Sequence, residues 1–343
     1  MALDDFTEEA VLSRKVEQLQ HEITEAKRDA STAMKRLDVL AKTATEIPKW
    51  LTSPRNAMKS RGTVVLMLSD LHLDEMVDHA EMNQINKYDR SIAEKRLRRV
   101  ADKAIQIPRD HWSGTTYDGA VLIIGGDIFS GNIHDELRET NEDTMLGSVS
   151  HWIPRLAQVV RLLADEYGKV HVPVVPGNHG RMSPKKRHKR NARDNFDWFI
   201  GVQLSHMFAD DERVTFQVSS ATDTAWDVYG HRVLLFHGDE TGGGSGIGGI
   251  WPPIMRMVHK KQSTHAALGR RFDLACMGHW HQLVWGPGFI INGSLKGYDE
   301  FAKNLNFAPE KAQQALWVMS PEHKITWRAD VIAEDRKAEG WGE

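Results

Sequence analysis

The stretch Thr63-Val64-Val65-Leu66-Met67-Leu68-Ser69-Asp70-Leu71-His72 places an apolar run directly before an aspartate and a histidine. An uninterrupted apolar run of this length is typical of a strand that is buried on both faces of a parallel sheet. Side chains that follow such strands lie at the carboxyl edge of the sheet, where open α/β sheets build their sites. The stretch therefore predicts an α/β fold with Asp70 and His72 at that edge.

Two further apolar runs end in the same way. Residues 120–124 precede Gly126-Asp127, and residues 170–175 precede Gly177-Asn178-His179. Two shorter motifs follow later in the chain, His237-Gly238-Asp239 and Gly278-His279-Trp280-His281. The five motifs combine carboxylate, amide and imidazole groups, which are the ligands that two neighbouring divalent metal ions need.

Strands and helices alternate in the first half of the chain, and strands dominate the second half. We expect helices near 88–106, 144–167, 192–207 and 250–262. We expect further strands near 213–219, 223–229, 232–237, 272–278, 282–286 and 288–292. Such a succession is typical of a sandwich of two sheets covered by helices. It predicts one catalytic domain over residues 63–343.

The N-terminal segment has a different pattern. Apolar residues recur between Leu12 and Ala44 in alternating steps of four and three. This heptad seam predicts a long helix over residues 1–47 that forms a coiled coil with a second copy of the chain or with a partner helix. The alternative is a helix that lies along its own catalytic domain. Polar residues 48–62 indicate a linker, and glycine-rich residues 242–249 indicate a mobile loop.

Composition limits the classes of protein that fit. The 343 residues are 41% hydrophobic, contain one cysteine and carry a formal net charge of −3. A single cysteine, Cys276, excludes an internal disulfide. No run approaches the roughly eighteen apolar residues of a membrane span, and acidic residues stand where a signal peptide would be basic. We therefore expect a cytoplasmic protein without a membrane partner, in which polyanion binding needs a local basic patch.

The ordered set of motifs resembles the pattern of the calcineurin-like metallophosphoesterase superfamily, over about residues 63 to 295. The resemblance implies a four-layer αββα sandwich, two divalent metal ions and His179 as the catalytic histidine. It implies that one ion is bound by Asp70, His72, Asp127 and His281. It implies that the other ion is bound by Asp127, Asn178, His237 and His279.

The residue types fit this chemistry. Two cations about 3.5–4 Å apart need an anion between them, and the carboxylate of Asp127 can give one oxygen to each. Mixed nitrogen and oxygen ligands favour Mn, with Fe, Zn or Ni as alternatives, over Mg or Ca. His179 follows Asn178 directly, so we expect it to face the substrate and to protonate the leaving group.

The neighbourhood of the motifs bears on the substrate. Gly180 follows His179 where protein phosphatases of the superfamily carry glutamate, while Gly126-Asp127-Ile128-Phe129 resembles the segment of SbcD-type DNA repair nucleases. A basic segment then leaves the catalytic turn and could neutralise several phosphates. Its candidate substrate-binding residues are Arg181, Lys185, Lys186 and Arg187. These features predict a nuclease acting on DNA or RNA; the alternatives are a small-molecule phosphodiesterase or phosphatase, and an inactive scaffold that binds partners through its coiled coil.

Overall fold

The computed structural model describes residues 4–42, 48, 60–240 and 249–342. The chain divides into two compact units, Met1–Ala44 and Thr45–Glu343. Most of the predicted linker and all of the glycine-rich loop except Gly249 lie outside the described residues. Among the described helices, none combines the length and the apolar character that crossing a membrane requires.

The first unit contains one long helix, α1 (Asp4–Lys42), which confirms the helix that the heptad seam predicts. Three large apolar side chains of that seam are about half exposed, with values of 50% for Val16, 49% for Leu19 and 53% for Ile23. Pairing of α1 with another helix stays a prediction.

The second unit alternates strands and helices as expected. The described strands are β1 (Arg61–Leu68), β2 (Thr116–Ile124), β3 (Val170–Val174), β4 (Val214–Val218), β5 (Asp223–Val228), β6 (His231–Phe236), β7 (Leu274–Met277), β8 (Val284–Gly286), β9 (Phe289–Ile291), β10 (Gln313–Met319) and β11 (Trp327–Ile332). The described helices are α2 (Arg90–His111), α3 (Asp135–Thr140), α4 (Met145–Tyr167), α5 (Phe196–Met207), α6 (Trp251–Ala267), α7 (Glu300–Asn304) and α8 (Arg336–Glu339).

The strands form two sheets. The first has the order β11-β10-β1-β2-β3-β4, in which β1 to β4 are parallel and β10 and β11 are antiparallel to their neighbours. The second has the order β5-β6-β7-β9-β8, with β6, β7 and β9 parallel. Strands β10 and β11 were not anticipated from the sequence. Strand β1 begins at Arg61, so the last two residues of the predicted linker belong to the sheet.

Alternate residues of the central strands point into two different cores, and this explains the layers. Val65 lies between the sheets in one core with Trp226, whereas Leu66 faces the opposite side, in a core shared with α2 and α4. The outer face of the second sheet, including Phe236, packs against Ile254 of α6. Helix, sheet, sheet and helix are therefore stacked in four layers, which confirms the predicted αββα sandwich.

Helix α2 continues about five residues beyond its predicted end and contains Pro108. A proline inside a helix has no N–H to donate to the carbonyl four residues earlier, here that of Ala104. The hydroxyl of Tyr167, at the end of α4, donates to this carbonyl at 2.7 Å instead. A side chain from the neighbouring helix thus replaces the hydrogen bond that the proline cannot make.

Candidate metal centre

All five motifs follow the carboxyl ends of strands. Strands β1, β2 and β3 end before Asp70, Asp127 and Asn178, as the apolar runs predict. Strands β6 and β7 of the second sheet end directly before His237 and Gly278. The centre therefore lies where the carboxyl edges of the two sheets meet.

Five of the predicted ligands adopt left-handed backbone conformations. Their φ angles are 52° for Asp70, 47° for His72, 50° for Asp127, 70° for His279 and 53° for His281. Residues with a side chain rarely adopt this conformation, at a cost on the order of 1–3 kcal/mol each, and such residues cluster at functional sites. The turns after three different strands are thus held in shapes that local preference alone would not produce.

Hydrogen bonds between the turns maintain these shapes. The N–H of Asp70 donates to the carbonyl of Gly126 at 3.1 Å, and the N–H of His72 donates to the carbonyl of Asp127 at 3.1 Å. The N–H of His279 donates to Asp70 Oδ1 at 2.7 Å. The turns that follow β1, β2 and β7 are therefore fixed relative to one another.

The first group of candidate ligands, the Asp70 cluster, consists of Asp70, His72 and His281. The Nε2 atoms of His72 and His281 are 3.0 Å apart, and His281 Nε2 is 3.6 Å from Asp70 Oδ1. Asp70 and His72 are completely buried, whereas the side chain of His281 is 30% exposed. The cluster thus opens to solvent at His281.

The second group, the Asp127 cluster, consists of Asp127, His237 and His279. His237 Nε2 lies 2.9 Å from Asp127 Oδ2 and 3.2 Å from Asn178 Oδ1. His237 Nδ1 is 2.9 Å from the carbonyl of Gly125, a contact that accounts for a proton on Nδ1 and leaves Nε2 directed at the cluster.

These spacings fit metal ligation. Nitrogen and oxygen ligands lie about 2.0–2.2 Å from a first-row metal ion, so two ligands of one ion are separated by about 3.0–3.5 Å. Four separations among these ligand atoms and Asn178 Oδ1 run from 2.9 to 3.6 Å, and all ligand atoms of each cluster lie within 4.8 Å of one another. Residues 72, 127 and 179 form a third group of converging ligand atoms, so Asp127 belongs to two groups. Its position fits the bridging role that the resemblance implies.

Burial perturbs the titration of these groups in the metal-free protein. It raises the pKa of Asp70 to about 7 and lowers the pKa of His279 to about 4. Burial also acts to lower the pKa of His237, but the carboxylate of Asp127 outweighs it and raises that pKa well above its usual value. A divalent cation would offset the charge of the buried carboxylates.

His179 lies beside both clusters. Its N–H donates to Asp127 Oδ1 at 2.7 Å, and its ring meets the ring of His72 edge-on with centroids 4.6 Å apart. Its Nδ1 is 2.7 Å from the carbonyl of Ser130. The partner of His179, which no motif identifies, is therefore a backbone carbonyl, and Nε2 is the nitrogen left for a substrate.

The packing around position 180 leaves no room for a side chain, which accounts for the glycine there. A Cβ at this position would lie 2.5 Å from Asn195 Oδ1 and 2.7 Å from Asp197 Oδ2. The start of α5 thus occupies the space that an acidic residue after His179 would need. This packing accounts for a glycine at the position where protein phosphatases of the superfamily carry glutamate.

Sequence reasoning missed Asp197. Its buried carboxylate accepts hydrogen bonds from the N–H groups of Asp127 at 3.0 Å, Ile128 at 3.1 Å and Gly177 at 2.8 Å. Burial and the charge of Asp127 raise the pKa of Asp197 to about 6. The only sequence signal is an acidic residue in the first turn of α5, which is a common capping feature.

The predicted substrate-binding residues lie on the segment between β3 and α5. Lys186 Nζ is 2.5 Å from Asp239 Oδ2, so this segment is attached to the motif that contains His237. Arg181 donates to the carbonyls of Ser183 and Pro184. The other two, Lys185 and Arg187, are exposed. His134, which belongs to none of the five motifs, lies with its ring centroid 5.7 Å from that of His179.

No protein-family model matches the chain, and no curated protein matches it. The solved structures to which this chain is similar include Vps29 from Entamoeba histolytica complexed with Zn²⁺. It is 13% identical, the alignment covers 78% of this chain and 99% of the Vps29 chain, and the TM-score is 0.28. A dimetal phosphatase from Danio rerio is 10% identical over 79% of this chain and 99% of its own, with a TM-score of 0.32. The sulfate thiohydrolase SoxB from Thermus thermophilus is 11% identical over 84% of this chain and 60% of its own, with a TM-score of 0.31. Because each TM-score is below 0.5, the chemistry of this chain is inferred from its own residues.

Proposed function

We propose that this chain is a phosphoester hydrolase that uses two divalent metal ions and acts on the phosphodiester bonds of nucleic acid. The observation that carries the proposal is the convergence of oxygen and imidazole ligands from both sheets, in which Asp127 belongs to two of three groups of ligand atoms and lies 2.9 Å from His237 Nε2. Five of the candidate ligands have left-handed backbone conformations, a form of strain that is typical of functional sites.

The residues divide into two roles. The Asp70 cluster and the Asp127 cluster would each hold one ion, for which Mn²⁺ is our proposal and Fe, Zn or Ni are the alternatives that the mixed ligands allow. When bound there, two ions would supply Lewis acidity for a phosphoryl oxygen and would lower the pKa of a water toward neutral pH. The carbonyl of Ser130 holds one proton on Nδ1 of His179, so Nε2 faces the substrate and, when it carries the second proton of the imidazolium, can give that proton to the oxygen of the leaving group.

Two features support nucleic acid as the substrate. The basic segment 181–190 begins two residues after His179, and the ion pair between Lys186 and Asp239 keeps the segment beside the metal centre. Lys185 and Arg187 remain exposed there and can neutralise phosphates on either side of the scissile bond. The likeness of residues 126–129 to SbcD-type nucleases favours DNA.

A small phosphodiester or phosphomonoester is the second candidate substrate. Lys186 is neutralised by Asp239, and Arg187 Nη1 lies 3.9 Å from Asp194 Oδ2. These carboxylates reduce the charge that the segment offers to a polyanion. A scaffold without activity is disfavoured, because every motif that would supply a ligand is intact.

Hydrolysis of a model phosphodiester in the presence of Mn²⁺ tests the reaction. We expect Asp127→Asn and His179→Ala each to lower the rate by at least about 100-fold. The control is Asp118→Asn, a matched change at an ion pair near the start of β2, which should leave the rate unchanged. Full activity of Asp127→Asn would contradict the mechanism.

A panel of single-stranded DNA, duplex DNA, RNA, cyclic nucleotides and a phosphomonoester tests the substrate. We expect cleavage of a polymer. The triple change Lys185→Ala, Lys186→Ala and Arg187→Ala should slow polymer cleavage and weaken its dependence on salt, and it should leave hydrolysis of the small ester unchanged. Hydrolysis of small esters with no cleavage of any polymer would reject the nuclease and leave the phosphoesterase.

A further inference from the structure

Three charged side chains outside the motifs form a buried group beside the Asp70 cluster. Lys296 Nζ lies 2.6 Å from Glu75 Oε1 and 2.5 Å from Asp299 Oδ2. The side chains are 5% exposed for Lys296, 7% for Glu75 and 5% for Asp299. Burial would lower the pKa of Lys296, but the two carboxylates raise it, so the amine is an ammonium ion. One ammonium between two carboxylates leaves an excess negative charge in the interior.

His72 faces this excess charge. Its Nδ1 is 3.0 Å from Glu75 Oε2, and its Nε2 is 3.0 Å from His281 Nε2. Among the described residues, neither His72 Nδ1 nor Glu75 Oε2 has a hydrogen-bond partner, although both are buried. An imidazole that carries its proton on Nδ1 has the lone pair on Nε2. The two atoms are close enough to pair but are not aligned for a hydrogen bond in this structure, so a rotation of the carboxylate is needed for Glu75 to accept the Nδ1 proton while Nε2 faces the Asp70 cluster.

We propose that Glu75 is a positioning residue, held by Lys296 and Asp299, that keeps the proton of His72 on Nδ1 and so presents Nε2 to a metal ion. The inference rests on the proposed metal centre. An anionic partner behind a histidine ligand orients its ring and increases its basicity, and losing such a partner costs about 10–100-fold in metal affinity. Lys296 and Asp299 act by fixing the carboxylate that does this.

The change Glu75→Gln tests the inference because it preserves size and removes the charge. The amide oxygen is expected to stay with the ammonium of Lys296, which turns the amide NH₂ toward His72 Nδ1. Nδ1 must then accept, and the proton moves to Nε2, where it blocks ligation. We expect calorimetric titration with Mn²⁺ to show one of two sites weakened by about 10–100-fold and the other unchanged within about threefold.

Controls separate positioning from general destabilisation. Asp118→Asn removes a carboxylate from another partly buried ion pair and should leave both Mn²⁺ affinities unchanged. Lys296→Met should weaken Mn²⁺ binding at one site, as Glu75→Gln does. Lys296→Arg keeps the positive charge and should bind Mn²⁺ nearly as well as the unmodified chain. Equal weakening of both sites, or none, in Glu75→Gln would overturn the inference.

A second measurement does not depend on metal. Long-range ¹H–¹⁵N spectra of the metal-free protein report the tautomer of each histidine, and we expect His72 to be protonated on Nδ1 in the unmodified chain and on Nε2 in Glu75→Gln. The same tautomer in both would reject the role of Glu75. If the unmodified chain bound no Mn²⁺ while the tautomer changed as expected, the proposed function would fail and the positioning contact would stand.

Discussion

Asp197 shows how one side chain can organise a centre to which it supplies no ligand. Its carboxylate receives three backbone N–H groups from the turns after β2 and β3, which carry Asp127 and Asn178. These turns come from different parts of the chain, so their relative position depends on the shared acceptor. A carboxylate can accept all three bonds, whereas an amide has one acceptor oxygen and two donor hydrogens.

We therefore expect Asp197→Asn to destabilise the fold and to weaken metal binding. An amide NH₂ facing backbone donors leaves buried groups unsatisfied, at a cost of about 1–3 kcal/mol. Urea denaturation measures the free energy of unfolding, and calorimetry measures Mn²⁺ affinity. Asp165→Asn, at an exposed ion pair with Arg213, serves as the control and should change neither quantity measurably. Wild-type affinity in Asp197→Asn would show that the turns hold their positions without it.

His171 makes stability depend on pH at a distance from the centre. It lies in β3, is 1% exposed and has its Nε2 3.1 Å from Gln217 Oε1 on β4. Burial lowers its pKa from 6.5 to about 4, so between these pH values the unfolded chain binds a proton that the folded chain does not. Stability is therefore lost as pH falls from 6.5 to 4, by as much as about 3 kcal/mol.

Replacing His171 by Gln should remove this contribution. We expect the difference in free energy of unfolding between the unmodified chain and His171→Gln to change by about 2–3 kcal/mol between pH 7 and pH 4, with the unmodified chain losing more. Chemical denaturation at several pH values gives this difference directly. A difference that is constant with pH would mean that His171 has the same pKa in the folded and the unfolded chain.

Helix α1 is the element whose surface suggests an interaction. If Val16 and Ile23 occupy the a positions of the heptad and Leu19 a d position, β-branched residues at a and leucine at d favour a parallel two-stranded coiled coil. In that arrangement Glu22, at g, faces Lys27, at e, of the second copy. An antiparallel pairing that sets Ile23 against Ala26 would instead bring Glu22 toward Asp29. The charges thus favour the parallel dimer.

We expect the chain to dimerise through α1, and light scattering at several concentrations measures its mass. Glu22→Lys and Lys27→Glu should each weaken the dimer, because each places like charges opposite one another. The double change Glu22→Lys with Lys27→Glu should restore it. A monomeric mass for the unmodified chain would reject self-association, and equal masses for all variants would reject this pairing.

At the scale of the whole molecule, the candidate ligands join the two sheets. Asp70, His72, Asp127 and Asn178 follow strands of the first sheet, while His237, His279 and His281 follow strands of the second. Ions bound between them would bind the folded chain and not the unfolded one. Binding then adds about 2.7 kcal/mol to the free energy of unfolding when the metal concentration is 100 times the dissociation constant.

Mn²⁺ is accordingly expected to raise the melting temperature by about 5 °C or more, and a chelator should reverse the increase. The variant Asp127→Asn should show little of this shift, because it removes the carboxylate common to two groups of ligands. Calorimetric melting with and without metal makes the comparison. An equal shift in Asp127→Asn would place the stabilising ions elsewhere on the molecule.

The sequence by itself determined the strands that precede the five motifs and the side chains that follow them, because a buried parallel strand is apolar throughout and its end is marked by the next polar residue. The gathering of the motif residues at one edge follows from that pattern and from the parallel topology. Helix α1 was likewise predictable from the sequence, since a heptad seam is a local repeat along one element.

Only the tertiary structure decided what supports the motif residues. The carbonyl of Ser130 behind His179, the carboxylate of Asp197 beneath two turns, and Glu75 behind His72 are contacts between residues whose types are common and whose spacing carries no repeat. Strand β10 joins the sheet by pairing with β1, which lies far from it in the sequence, and β11 joins only through β10. Such contacts arise when the chain folds, because hydrogen bonding and burial depend on neighbours in space.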